Sequence, residues 1–173
     1  MITDNKVLAE WNRLDEGAAA LAILPCCGSS RWARQLVQAR PIADETELFH
    51  RSEAIWLSLP ASDWGEAFRS HPRIGERKGA ATATQQSAKW SRQEQSNVDS
   101  SAADIRTRLD RGNHLYEERF GRIFLVCATG KSAAEMLAIL ERRLLNDAQT
   151  ELHEAVEQQR QITRIRLRKW LDA

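Results

Sequence analysis

The chain has little of what disulfide-stapled, fibrous or membrane proteins are built from. Among 173 residues there are three cysteines, four prolines, eight glycines and one tyrosine. The cysteines are Cys26, Cys27 and Cys127, an odd number with two adjacent. That is a poor disulfide framework, and the adjacent pair lacks zinc-ligand spacing. They read as free thiols in a reducing compartment, hence a cytoplasmic protein. Neither sign of charge dominates: 25 Lys and Arg face 24 Asp and Glu, for a net charge of +1. This near-balance argues against nucleic acid as a partner. No apolar run approaches the roughly 20 residues that span a bilayer, so no membrane partner is expected. The first residues lack the basic-then-apolar pattern of a signal peptide, and the last carry no recognisable address tag. The histidines, His50, His71, His114 and His153, show no pair at metal-ligand spacing, so no metal site is expected. What remains is the balance of a soluble globular protein, read as one domain over 1–173.

The hydrophobic spacing predicts an all-α fold: a helical bundle with one short buried extended segment. Leu8, Trp11 and Leu14 stand at helical spacing, with Gly17 as a break and Leu21 and Leu24 continuing the apolar face. Ser30 is read as the cap of a helix carrying Trp32, Leu36 and Val37, ended by Arg40-Pro41. Asp44 caps a longer helix with Leu48, Ile55 and Leu59 on its core face, and Pro60 stops it. Another short helix starts at Ala61 and ends near His71-Pro72. From Arg73 to Lys89 the period vanishes, which reads as a long loop, a functional lid or a floppy excursion. Helical signals resume at Ser91 and run through Ile105, Leu109 and Tyr116 to Phe120, with Gly121 as C-terminal cap. Ile123 to Ala128 is fully apolar and too short for a comfortable helix, so it reads as extended and buried. Ser132-Ala133-Ala134-Glu135 is a capping box before Met136, Leu137, Leu140 and Leu144. The last helix runs to about Trp170.

Three places can carry chemistry. His71, with Pro72 forcing it out of helical geometry beside the long loop, is a credible general acid/base; it is also readable as a helix-terminal histidine with no role. Ser91-x-x-Glu94 fits a capping box, and equally a helix N-terminus facing a polar ligand, with Glu94 orienting His71. On the final helix Leu152, Val156, Gln159, Ile162 and Trp170 trace an inward stripe shared by Arg166. Its guanidinium holds a carboxylate or ureido ligand, snorkels, or forms an internal ion pair. Arg164 and Arg168 lie on other faces. These residues leave open an enzyme, a non-catalytic helical adaptor and a small-molecule sensor.

His71-Pro72-Arg73-Ile74-Gly75, Ser91-x-x-Glu94-Gln95, Asn113-x-x-Tyr116-x-x-x-Phe120-Gly121 and Ile162-x-x-Ile165-Arg166-Leu167 together resemble the OHCU decarboxylase family. Gly28-x-Ser30-x-Trp32 is similar to that family's early motif. The family acts on 2-oxo-4-hydroxy-4-carboxy-5-ureidoimidazoline, the last intermediate between urate and allantoin. The resemblance implies an all-α fold of its own type, a homodimer, a small-molecule substrate and a cofactor-free carboxy-lyase yielding (S)-allantoin. It places the catalytic roles on His71 and Glu94. It places substrate binding on Pro72, Ser91, Gln95, a backbone group near Val126, and Arg166, with Arg164 the competing match. The Gly79 to Thr84 stretch departs from a minimal family pattern.

Overall fold

In the computed structural model the described residues are 5–76, 80–99 and 101–173; the first four residues and 77–79 of the expected long loop lie outside them. The described elements are all helical, as the periodicity predicts. The chain divides into two compact units, Met1–Ala67 with Arg160–Ala173, and Phe68–Gln159.

The first unit holds α1 (Lys6–Arg13), α2 (Glu16–Ile23), a short 3-10 turn (Leu24–Cys26), α3 (Ser30–Gln38) and α4 (Glu45–Ser58). It also takes most of α5 (Ala61–Arg69) and the second half of α10 (Ala148–Leu171). Its core is built on Trp11, Trp32 and Trp56, all essentially inaccessible. Each indole N–H drawn into that core needs an acceptor. Trp11 Nε1 donates to the Ala19 carbonyl at 2.8 Å and Trp32 Nε1 to that of Ser52 at 3.2 Å. Trp170 meets Trp11 edge-on, with ring centroids 5.9 Å apart.

Three boundaries in this unit differ from the sequence reading. The break between α1 and α2 falls at Leu14, not Gly17, because the Asp15 side chain accepts from Ala18 N–H and starts a new helix with Gly17 in its first turn. Ser29, not Ser30, caps α3 by accepting from Trp32 N–H, while Ser30 gives its backbone N–H and its hydroxyl to Glu66. Leu21 is 72% exposed and takes no part in the core; Ile23 does.

The second unit holds α6 (Gln85–Glu94), α7 (Ser96–Asp99), α8 (Ala103–Phe120), α9 (Ala133–Arg143) and the first half of α10. Gly121 ends α8 at φ +67°, a left-handed conformation that costs a residue with a Cβ about 1–2 kcal/mol. The Ser132–Glu135 capping box is present in full. Tyr116, Phe124, Val126, Met136, Leu137 and Leu140 form the core.

The largest departure lies at α6. The sequence-read loop from 73 to 89 ends at Thr84, whose side chain accepts from Ser87 N–H and starts the helix. Ser91 and Glu94 therefore occupy the last turn of α6, not its first, and Ser91-x-x-Glu94 is not a capping box. The buried face of α6 is Ser87, Trp90 and Ser91, mostly small and polar, so hydrophobicity carries no period there.

Candidate active site

Phe124 to Ala128 is buried and belongs to neither helix nor strand, as the apolar run predicts. A lone extended segment has no strand neighbour to satisfy its backbone, and buried amides and carbonyls left unpaired are costly. Side chains take over. Arg143 Nη1 donates to the Leu125 carbonyl at 2.6 Å, Gln158 Oε1 accepts from Cys127 N–H at 2.8 Å, and Lys131 Nζ donates to the Cys127 carbonyl at 2.8 Å. Arg143 is itself fully buried against fully buried Glu151, with Nε and Nη2 at 2.9 and 2.5 Å from Oε1. The same carboxylate accepts from the Tyr116 hydroxyl, and Asn146 Nδ2 donates to its other oxygen at 2.9 Å. Burial, reinforced by that bond, pushes the Tyr116 phenol well above its ordinary range, so it stays a donor. Nothing in the sequence pattern marks this network, because charged residues near helix ends read as ordinary dipole partners.

His71 stands just past α5, where its backbone N–H donates to the Phe68 carbonyl at 3.2 Å. It is 6% exposed. Its Nε2 lies 2.8 Å from Oε1 of fully buried Gln159. The sequence places Gln159 on the inward stripe of α10 but gives it no role, since its partner is 88 residues away. The loop after His71 is pinned on α8. Glu117 takes Arg73 in a two-pronged pair at 2.5 and 2.7 Å, and Asn113 Nδ2 donates to the Ile74 carbonyl at 3.0 Å. Gly75, at φ +87°, donates its N–H to Gln95 Oε1 at 3.0 Å. These contacts explain the paired motifs physically: Asn113 and Glu117, one turn apart on α8, hold the segment that carries His71. They also hold Glu117 below the ordinary carboxylate range, chiefly through the Arg73 hydrogen bonds.

Of the expected site residues, His71, Pro72, Ser91 and Val126 are buried in the second unit, with Glu94 and Gln95 half-buried there. The imidazole Nε2 faces Gln159, and Glu94, the orienting partner in the sequence reading, stands half-buried in the same unit. Arg166 lies in the first unit and is fully buried, its Nη1 3.4 Å from the Pro25 carbonyl. Beside it the Cys27 thiol is pushed up to about 12, mainly by burial, with the Arg166 charge pulling the other way. Both neighbouring thiols are thus neutral companions of the guanidinium. Arg164 is engaged on the surface instead, with Nη1 2.7 Å from Glu53 Oε1 and its guanidinium over the Phe49 ring. The inward arginine is Arg166, as the stripe predicts. Among the described residues no cluster of three metal-ligating side chains occurs, and no helix is long and apolar enough to cross a membrane.

A crystal structure of OHCU decarboxylase in the presence of (S)-allantoin superposes with a TM-score of 0.74 at 34% identity, covering 87% of this chain and 96% of that one. The chain is 32% identical over 145 residues to the uric acid degradation bifunctional protein TTL of Arabidopsis thaliana, covering 83% of this chain but only 44% of that protein's length. It is 32% identical over 133 residues to the 2-oxo-4-hydroxy-4-carboxy-5-ureidoimidazoline decarboxylase of Amia calva, covering 74% of this chain and 73% of that one. The family model described as OHCU decarboxylase matches residues 12–168, and the chain belongs to that family.

Proposed function

We propose that this chain removes the 4-carboxylate of 2-oxo-4-hydroxy-4-carboxy-5-ureidoimidazoline and delivers (S)-allantoin. The observation that carries the reading is His71: an imidazole buried just past a helix end, on a loop pinned by Arg73–Glu117 and Asn113, in a chain of this family. When the bond to carbon dioxide breaks, its electron pair passes into the ureidoimidazoline ring, and a proton then quenches it. The ring is its own electron sink, so the bond change requires neither metal nor redox cofactor. The protein must bind the ring, strip water from the leaving carboxylate and present a proton on one face. His71 is the proton-handling group and Glu94 its acidic companion at the substrate. Ser91, Gln95 and the backbone at Pro72 and Val126 hold the ring and its ureido arm, and the family resemblance gives the Arg166 guanidinium a part in substrate binding as well. The same resemblance supports a homodimer, and three buried cysteines outside any disulfide support a reducing, cytoplasmic setting.

The test generates substrate from urate enzymatically and follows optical rotation. Spontaneous decay gives a racemate; the wild-type chain is expected to speed the reaction and yield one enantiomer. His71→Ala is expected to cut kcat by about 10²–10⁴-fold, the range of general acid–base contributions. Near-wild-type turnover and product chirality in that variant would remove His71 from the mechanism.

A further inference from the structure

We propose that Gln159 is a positioning residue for the decarboxylation: its amide carbonyl holds the His71 ring protonated at Nε2, so that proton exchange with the substrate runs through Nδ1. The inference rests on the decarboxylase reading above.

Gln159 is fully buried on the inward stripe of α10, between Val156 and Ile162. A primary amide taken out of water costs free energy unless its oxygen and nitrogen are bonded, so a leucine or methionine would fill this position with less demand. What the amide does is specific. Its oxygen faces His71 Nε2 at 2.8 Å, inside normal hydrogen-bond range, and both residues are more than nine-tenths buried. A carbonyl oxygen only accepts, so Nε2 carries the hydrogen. In the neutral ring the lone pair then falls on Nδ1, and in the protonated ring Nδ1 gains the transferable proton. The bond also fixes the plane of the ring, because an imidazole rotated about its Cβ–Cγ bond loses the contact.

The neighbouring residue sharpens the case. Gln158 accepts from Cys127 N–H at 2.8 Å. Consecutive side chains on a helix point about 100° apart, so two adjacent glutamines of α10 reach two different pieces of the second unit. Gln158 fixes the segment 124–128 and Gln159 fixes His71. A single helix thus sets both a backbone amide and the acid/base group within one frame.

The experiment combines two measurements on the full chain. Long-range 1H–15N correlation of the histidine side chains reads the tautomer of His71 directly, with the His71→Ala spectrum supplying the assignment. Optical rotation under saturating substrate reads kcat, KM and enantiomeric purity. Wild type is expected to show the Nε2–H tautomer. Gln159→Met, close in size but without a strong acceptor, is expected to mix the tautomers, to lower kcat about 10–100-fold, the range seen when the partner orienting a metal-bound imidazole is removed, to leave KM within about threefold, and to erode enantiomeric purity. Gln159→Glu keeps an acceptor oxygen at the same reach, and is expected to retain the Nε2–H tautomer and most of the optical purity. A merely structural role would alter stability without moving the tautomer or the kcat-to-KM split. A wild-type Nδ1–H tautomer, or a Gln159→Met tautomer and kcat equal to wild type, overturns the inference while leaving the decarboxylase reading intact. Should Gln159→Met not fold, the wild-type tautomer and the Gln159→Glu pair still decide it. A wild-type chain that does not accelerate the reaction overturns the decarboxylase reading, and the catalytic half of this inference with it.

Discussion

Replacing Arg143 with leucine should expose how the second unit holds its extended segment. The wild-type guanidinium makes two contacts to Glu151 Oε1 and one to the Leu125 carbonyl, and it lies 4.9 Å from the Phe124 ring centroid. Breaking a buried ion pair by removing one member costs about 3–5 kcal/mol, because the other charge is left uncompensated. Glu151 retains donors from Tyr116 and Asn146, which favours the lower end. The Leu125 carbonyl loses its donor as well, worth about 1–3 kcal/mol. Arg143→Leu should therefore destabilise by about 4–6 kcal/mol, or about 8–24 °C in Tm at 2–4 °C per kcal/mol for a chain of this length. Arg143→Leu combined with Glu151→Leu removes the stranded carboxylate and should recover at least about 2 kcal/mol of that loss. Urea unfolding followed by circular dichroism at 222 nm measures both. A single variant within 1 kcal/mol of wild type, or a double variant whose loss is the sum of the two singles, would refute the account.

Two further predictions follow from the packing and the charges. A Cβ on Gly112 would sit 2.6 Å from Leu140 Cδ2, and Leu140 has no exposed surface to retreat into. Overpacking of about 1–3 kcal/mol then outweighs the helix gain of about 1 kcal/mol, so Gly112→Ala should lower the urea midpoint, and Leu140→Ala in the same chain should cost less than it does alone. Glu117→Gln should lower stability at neutral pH by about 0.5–1 kcal/mol, the scale of a partly exposed pair. The folded-state carboxyl of Glu117 lies below its ordinary 4.5, so the contribution is present above that value and is lost as pH falls through the lowered one. Wild type and Glu117→Gln should converge as the pH falls through the lowered value, and a gap that stays constant across the whole acid range would show that the loss is not electrostatic.

Much of the fold was legible because local signals agreed with tertiary ones. Asp44, Gly121 and the Ser132–Glu135 box mark helix ends by backbone chemistry alone. The stripe on α10 marks Arg166 as inward because its neighbours on that face are apolar. The run from Phe124 to Ala128 declares its burial by having no polar face at all. The rest was hidden for stated reasons. α6 buries serines beside one tryptophan, so a search for hydrophobic period passes over it and takes its last turn for its first. Asp15 starts a helix with glycine two residues later, where glycine's cost is small, so Gly17 looks like a break and is not one. The contacts that hold His71 and the 124–128 segment, His71 with Gln159 and Arg143 with Leu125 and Glu151, join residues distant along the chain or buried against helix logic, and no local pattern encodes them.

The side-chain clasp around residues 124–128 carries a consequence for how this chain is handled outside its folded state. Ile-Phe-Leu-Val-Cys-Ala is uncharged and free of proline and glycine, the kind of stretch that stacks between copies when uncovered. In the native chain Arg143, Gln158 and Lys131 occupy the Leu125 carbonyl and both backbone groups of Cys127, and the residues from Phe124 to Ala128 are buried. Loosening that clasp should show first as turbidity and poor renaturation yield, well before any loss of helix content.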